Sequence, residues 1–265
     1  LRNIPAIIQN TGFELLVNAN PVSIKEFKWT ASLNLTVPRN KLVSYPGLDE
    51  SSSYNTYIIG QSINIIRLYE FAGVDKNSGY YQFKSADGKI VATPNPETDK
   101  TKFVDVMPKL YGGITNTFQY KDFEVSLLFQ YVRQTAGNYK FGAAFPGYLN
   151  SNQPNGILNR WQHIGDEKEI QLVTTSPDSF DPFYNAQLSD AAFSKDAYLR
   201  LKNLMISYSI PDRILNKANI SKVQFYIQGQ NILTLSRFKD ADPEIKRPEF
   251  LPPLKVLSTG VQLSF

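Results

Sequence analysis

Three features of the sequence predict an all-β fold, specifically an antiparallel β-barrel that crosses a membrane. Apolar and polar residues alternate with period two over long runs, the chain is rich in Phe and Tyr yet hydrophilic on average, and the connections alternate between short and long. A barrel strand shows lipid only every second side chain, so its hydropathy is weak while its alternation is strong. The mean hydropathy is -0.29, and aromatics make up 13% of the 265 residues, mainly as 17 Phe and 15 Tyr. No run approaches the roughly 18 consecutive apolar residues of a membrane-spanning helix, which excludes a helical membrane protein but not a barrel.

Taken in chain order, the first strand candidate is 12 to 19. Residues 26 to 37 follow, with Phe27, Trp29, Ala31, Leu33, Leu35 and Val37 on one face and Glu26, Lys28, Thr30, Ser32, Asn34 and Thr36 on the other. Weaker candidates lie at 61 to 72, 80 to 84 and 111 to 121. Residues 123 to 132 set Phe123, Val125, Leu127, Phe129 and Tyr131 against Glu124, Ser126, Leu128, Gln130 and Val132. Eight steps of about 3.3 Å, tilted by about 40°, span roughly 20 Å, close to the apolar band of a barrel. The aromatic ends of that series read as girdle residues.

The candidate at 198 to 210 changes phase between Lys202 and Leu204, as a β-bulge would require. Residues 223 to 230 put Val223, Phe225 and Ile227 opposite Gln224, Tyr226, Gln228 and Gln230. The last strand sets Leu257, Thr259, Val261, Leu263 and Phe265 against Ser258, Gly260, Gln262 and Ser264. In total there are nine strand candidates. Their short connections are 20 to 25, 73 to 79, 121 to 122 and 211 to 221, and their long ones are 38 to 60, 85 to 110, 133 to 197 and 235 to 254. Barrels of the bacterial outer membrane have short periplasmic turns and long extracellular loops, and the parity fits if the last strand runs toward the periplasm. A further strand pair near Lys168 to Thr174 would preserve it.

The first residue is Leu1, with no basic stretch or apolar core of a signal peptide after it, so the expectation is a C-terminal piece of a longer exported protein over 1 to 265. The chain has no Cys, which excludes disulfide and thiolate metal chemistry. A net charge of +4, dispersed along the chain, speaks against a nucleic-acid partner. No catalytic or nucleotide-binding signature occurs, and no enzymatic role or cofactor is expected. The single histidine, His163, falls in the longest loop and reads as a solvated or hydrogen-bonding residue. Asp75, Asn77 and Gly79 begin like a calcium loop, but Ala86 stands where the bidentate Glu would be, so a tight turn is expected. Asp240, Asp242, Glu244 and Glu249 could pair as glycosidase carboxylates. Interrupted by Pro243, Lys246, Arg247 and Pro248, they read instead as an exposed loop.

The run Tyr198-Leu-Arg-Leu-Lys-Asn-Leu204, continuing through Ser207-Tyr208-Ser209-Ile210-Pro211, resembles the strand and turn of SusC/RagA-type TonB-linked outer-membrane transporters. Gln228-Gly-Gln-Asn-Ile-Leu-Thr234, Asp242-Pro243-Glu244 and Gly260-Val-Gln-Leu-Ser-Phe265 follow in that family's order. Asn3-Ile-Pro-Ala6, Gly12-Phe-Glu14, Phe27-Lys-Trp29 and Tyr111-Gly-Gly113 extend the likeness over most of the chain. The resemblance implies that the strands here are part of a roughly 22-stranded barrel occluded by a plug. It further implies TonB-dependent import of oligosaccharides or peptides at the outer membrane, with a SusD-like lipoprotein as lid and the TonB complex as energy source.

On that reading Gln224, Tyr226, Gln228 and Gln230 are the candidate substrate-contacting residues of the lumen, with Ser258 and Gln262 beside them. Phe265 is the candidate signal for the barrel assembly machinery, its ring anchored at the lipid interface. A reading from another class is a soluble secreted carbohydrate-binding or hydrolytic β domain using Trp161, Tyr184 and the loop around Asp242. A siderophore receptor of the same architecture lacks support from the runs quoted above.

Overall fold

The computed structural model describes residues 5–138, 140–141, 147, 152–153, 155–215, 220–238, 241–246 and 250–265. Its strands are β1 (Ile7–Ser23), β2 (Phe27–Ser44), β3 (Ile65–Leu68), β4 (Glu70–Val74), β5 (Tyr81–Lys84), β6 (Ile90–Val91), β7 (Lys102–Asp105), β8 (Leu110–Tyr120), β9 (Phe123–Gly137), β10 (Phe193–Ser209), β11 (Lys222–Ser236) and β12 (Val256–Ser264). Two short α-helices accompany them, α1 (Phe180–Gln187) and α2 (Asp212–Leu215). Among the described residues no helix is long and apolar enough to cross a membrane.

The principal sheet has seven strands in the order β1-β2-β8-β9-β10-β11-β12. Sequence neighbours pair directly, except that the pairing of β2 with β8 skips over the short strands between them. β1, β2, β9, β10 and β11 have 15 to 18 residues, β8 has 11 and β12 has 9. All of these lengths reach the roughly 9 residues that a tilted spanning strand needs. The expectation of nine strands in this wall is corrected. The candidates at 61 to 72 and 80 to 84 form β3, β4 and β5, which have only 4 or 5 residues each and lie in a two-stranded sheet (β3-β7) and a three-stranded one (β4-β5-β6). Period two marks a strand with two unlike faces and does not say which sheet receives it. Near Lys168 to Thr174 there is a single bridge, Arg160 to Ile170, in place of a strand pair. Because the two misplaced candidates were consecutive, the short-long parity survives, with connections 24–26, 121–122 and 210–221 against 45–109, 138–192 and 237–255.

Register explains the alternation. Across β2, β8 and β9 one face carries the rows Phe27-Tyr120-Phe123, Trp29-Phe118-Val125, Ala31-Asn116-Leu127 and Leu33-Ile114-Phe129. The other carries Lys28-Gln119-Glu124, Thr30-Thr117-Ser126 and Asn34-Gly113-Gln130. Apolar side chains thus meet across strands on a single surface, where each good cross-strand pair adds a few tenths of a kcal/mol to about 1 kcal/mol. Trp29 stacks on Phe118 with 5.7 Å between ring centroids, and Phe123 lies 4.5 Å from Tyr208. Asn116 is the polar intruder on this apolar face, and its Oδ1 accepts a hydrogen bond from Trp29 Nε1 at 3.1 Å.

The bulge expected between Lys202 and Leu204 is present. Register shifts between Leu201 and Asn203, where Asn231 and Ile232 of β11 stand opposite Lys202 of β10, and Asn231 adopts φ 53°. Two positions of β8 and β12 need the absence of a side chain. A Cβ on Gly112 would collide with the carbonyl oxygen of Asn34, and one on Gly260 would come within 2.5 Å of the Tyr226 hydroxyl.

The chain divides into two compact units. Residues 10–39, 108–134 and 196–265 form the one that contains most of the wide sheet. The other, 1–9, 40–107 and 135–195, has its own core of Tyr69, Tyr81, Phe83, Phe141, Phe183 and Ala186. There Phe71 sets its edge against Tyr81 at 5.4 Å and Phe83 at 6.1 Å. Aromatic packing of this kind supplies the burial that two- and three-stranded sheets lack by themselves.

Candidate functional site

The polar face of the wide sheet is where ligand chemistry can reside, because the opposite face is mostly hydrocarbon and rings, with Asn116 there already bonded to Trp29. β11 places Gln224, Tyr226, Gln228 and Gln230 on it in the predicted alternation, opposite Gln262, Gly260, Ser258 and Val256 of β12. Gln224 Nε2 donates to Ser207 Oγ at 2.9 Å, and the Tyr226 ring covers Gly260. Of the four candidates, Gln230 lines a groove, a 540 Å³ open depression shared with Asn34, Tyr111, Gln130, Lys202 and Asn203. The bare backbone of Gly112 and Gly113 forms part of its lining, and Asn34 Oδ1 accepts from Gly113 N at 2.8 Å. Gln130 Oε1 and Asn231 Oδ1 are shielded there and have no hydrogen-bond partner.

Beside the groove lies an ionic cluster that sequence reasoning missed. Arg200, predicted only as part of a resemblance motif, is 1% exposed, and its guanidinium donates to Asp242 Oδ2 at 2.5 Å and to Glu244 Oε2 at 2.8 Å. Lys202 Nζ donates to the same Glu244 oxygen at 3.0 Å. Gln134 Nε2 donates to the Pro243 carbonyl at 2.7 Å, and the turn is closed by Lys246 N to Asp242 O at 2.8 Å. The expectation of an exposed acidic loop is therefore corrected for Asp242, which is 11% exposed, and holds for Glu244, which is 38% exposed although it pairs with bases of β10. Asp240 and Glu249 lie outside the described residues. The available signal was the pair Arg200 and Lys202, spaced by two among leucines, which puts two cations on the polar phase of a strand. Burial lowers the Lys246 ammonium below its usual range, a shift that nearby Asp196 opposes.

The remaining candidates resolve into local structure. Asp75 accepts from Asn77 N (3.4 Å) and Ser78 N (3.0 Å), a tight turn. His163 N and Gln162 N both donate to Asp166 at 3.0 Å and hold its carboxyl below the ordinary range. Trp161 is buried against Gly79, with its Nε1 donating to Lys76 O at 3.1 Å, so its ring is unavailable as a sugar-stacking platform. Tyr184 is exposed beside Phe183. Asp99 accepts from Ala86 N at 2.9 Å and Asn95 N at 2.8 Å, and these bonds lower its pKa. Among the described residues no group of three or more His, Cys, Asp or Glu could hold a metal. Phe265 follows the last residue of β12 and is 87% exposed.

Long antiparallel strands with one continuous apolar face and one polar face define the wall of a membrane-crossing β-barrel. No protein-family model matches the chain. It is related to TonB-dependent receptors: it is 26% identical over 264 residues to TonB-dependent receptor P3 of Formosa agariphila, covering 89% of this chain and 25% of that one. It is 23% identical over 257 residues to TonB-dependent receptor SusC of Bacteroides thetaiotaomicron, covering 90% and 24%. In fold it matches the RagAB peptide transporter with a TM-score of 0.80 at 23% identity, over 98% of this chain and 30% of that one. The resemblance to SusC/RagA-type barrels therefore holds, and the chain spans about a quarter of the length of the curated relatives it matches.

Proposed function

We propose that the chain is the C-terminal part of the barrel of a TonB-dependent transporter in the outer membrane of a Gram-negative bacterium, and that the intact protein imports oligosaccharides or peptides. The observation that carries this reading is the pairing of apolar with apolar and polar with polar rows across strands long enough to span. It gives one surface to lipid and the other to a hydrated lumen. The fold likeness to a peptide transporter supports uptake. A SusD-like lipoprotein over the long loops and the TonB complex acting through other parts of the protein complete the scheme.

The polar rows then line the pathway, and Gln230, Gln228, Tyr226 and Gln224 offer hydrogen bonds along it. Carboxamides and hydroxyls suit a neutral, hydrated solute, because they exchange bonds with it without ion-pair desolvation. The test is uptake of labelled oligosaccharides and peptides by cells carrying the intact protein, with and without a functional TonB system. Energy-dependent uptake that vanishes with the gene is the expected result. Recovery of the intact protein in the aqueous fraction without detergent would overturn the barrel reading.

A further inference from the structure

The cluster around Arg200 does something a lumen-wall residue need not do: it binds a loop. β11 and β12 are joined by residues 237–255, and the described middle of this connection, Asp242-Pro243-Glu244, is held on the polar face of the sheet. Two strands supply the grip, β10 through Arg200 and Lys202 and β9 through Gln134. Toward its far end the connection is tied again, by Asn231 Nδ2 to Leu254 O at 3.2 Å. A surface loop with no task at the wall would leave its carboxylates in water, because burying an arginine beside two of them costs desolvation that the geometry must recover. Here Nη1 donates to Glu244 and Nη2 to Asp242 while Nε is left without a partner, so two charge-assisted bonds recover part of that cost.

We propose that Asp242 and Glu244 form a latch which Arg200 and Lys202 close, holding the β11–β12 connection against the lumen side of the wall as a fixed edge of the groove lined by Lys202, Gln230 and Asn231. Arg200 is a positioning residue: it acts on the solute only through where it keeps the loop. The proposal rests on the polar face being the lumen. It goes further than that reading by assigning a conformational role to one ionic cluster. An unlatched loop would release Lys202, which lines the groove, from the Glu244 carboxylate that holds it.

The test uses the intact transporter in the outer membrane, in an otherwise cysteine-free background, with Ile245→Cys as reporter for a membrane-impermeant maleimide. Asp242→Asn with Glu244→Gln removes the charges while keeping shape, and Glu244→Gln alone is the milder variant should the pair fail to assemble. Heat-modifiable migration confirms assembly. Labelling should accelerate by about tenfold or more, the equilibrium equivalent of losing one charge-assisted hydrogen bond, and the KM for uptake should change while the amount of assembled barrel does not. Labelling rates within about twofold of the parent, on the scale of a few tenths of a kcal/mol, would overturn the latch. Faster labelling with unchanged uptake constants would overturn its place in the pathway. Faster labelling in a protein that imports neither solute class would uphold the latch and overturn the import reading instead.

Discussion

Leu127 sits in the middle of the apolar rows, opposite Asn116, with Val125 and Phe129 two residues to either side on the same face. An arginine there must either stay in hydrocarbon or drag water with it, so Leu127→Arg should cost about 2 to 4 kcal/mol. Chemical denaturation of the barrel refolded into lipid vesicles measures this, with Ser126→Arg on the polar face as the control expected to be nearly neutral. A second residue-scale case is Gly260, which leaves room for the Tyr226 ring. Gly260→Val should destabilise by about 1 to 3 kcal/mol through overpacking. The double variant with Tyr226→Ala should recover much of that loss, because the clash needs both side chains. Equal losses in the single and double variants would show that the ring is not what the valine meets.

At the scale of elements, the 85–99 loop hangs on one carboxylate. Asp99 accepts backbone N–H groups from Ala86 and Asn95, which keeps its pKa below that of the unfolded chain. A depressed folded pKa contributes stability that is present above the unfolded value of about 3.9 and is lost as pH falls through the lower folded value. The protection of the Ala86 and Asn95 amides, measured against the intrinsic exchange rate at each pH, should therefore persist at neutral pH and fall only in that acid window. Asp99→Asn should lower that protection at neutral pH. The aromatic core of the loop unit gives a separate prediction. Phe83 is fully buried, so Phe83→Ala should cost about 3 to 5 kcal/mol and open β4, β5 and β6 to proteolysis. Proteolytic resistance equal to the parent's would remove Phe83 from the core that holds those strands.

At the scale of the whole molecule, the wide sheet is open: β1 and β12 are its two edges, and β1 is exposed along nearly its entire length. Two long unpaired edges invite pairing with further strands, as a barrel supplies. Phe265 is exposed beyond β12, and we propose for it a part in that closure and its assembly, so its deletion should lower the amount of heat-modifiable barrel in the outer membrane. Uptake per assembled barrel should be unchanged. Normal abundance with abolished uptake would move Phe265 into the transport step. The sequence by itself determined the fold class, the two faces of β2, β9, β11 and β12, the bulge at Lys202 and the parity of the connections. All of these follow from period two, which any residue shows locally. Only the tertiary structure decided that residues 65–84 leave the wall for small sheets of their own, and that Asp242 is withdrawn from solvent onto Arg200 while Glu244 pairs with Arg200 and Lys202. The small sheets are packed by Phe141 and Phe183, and the carboxylates meet Arg200 some 42 to 44 residues away; alternation within one segment carries no information about which distant segment will meet it.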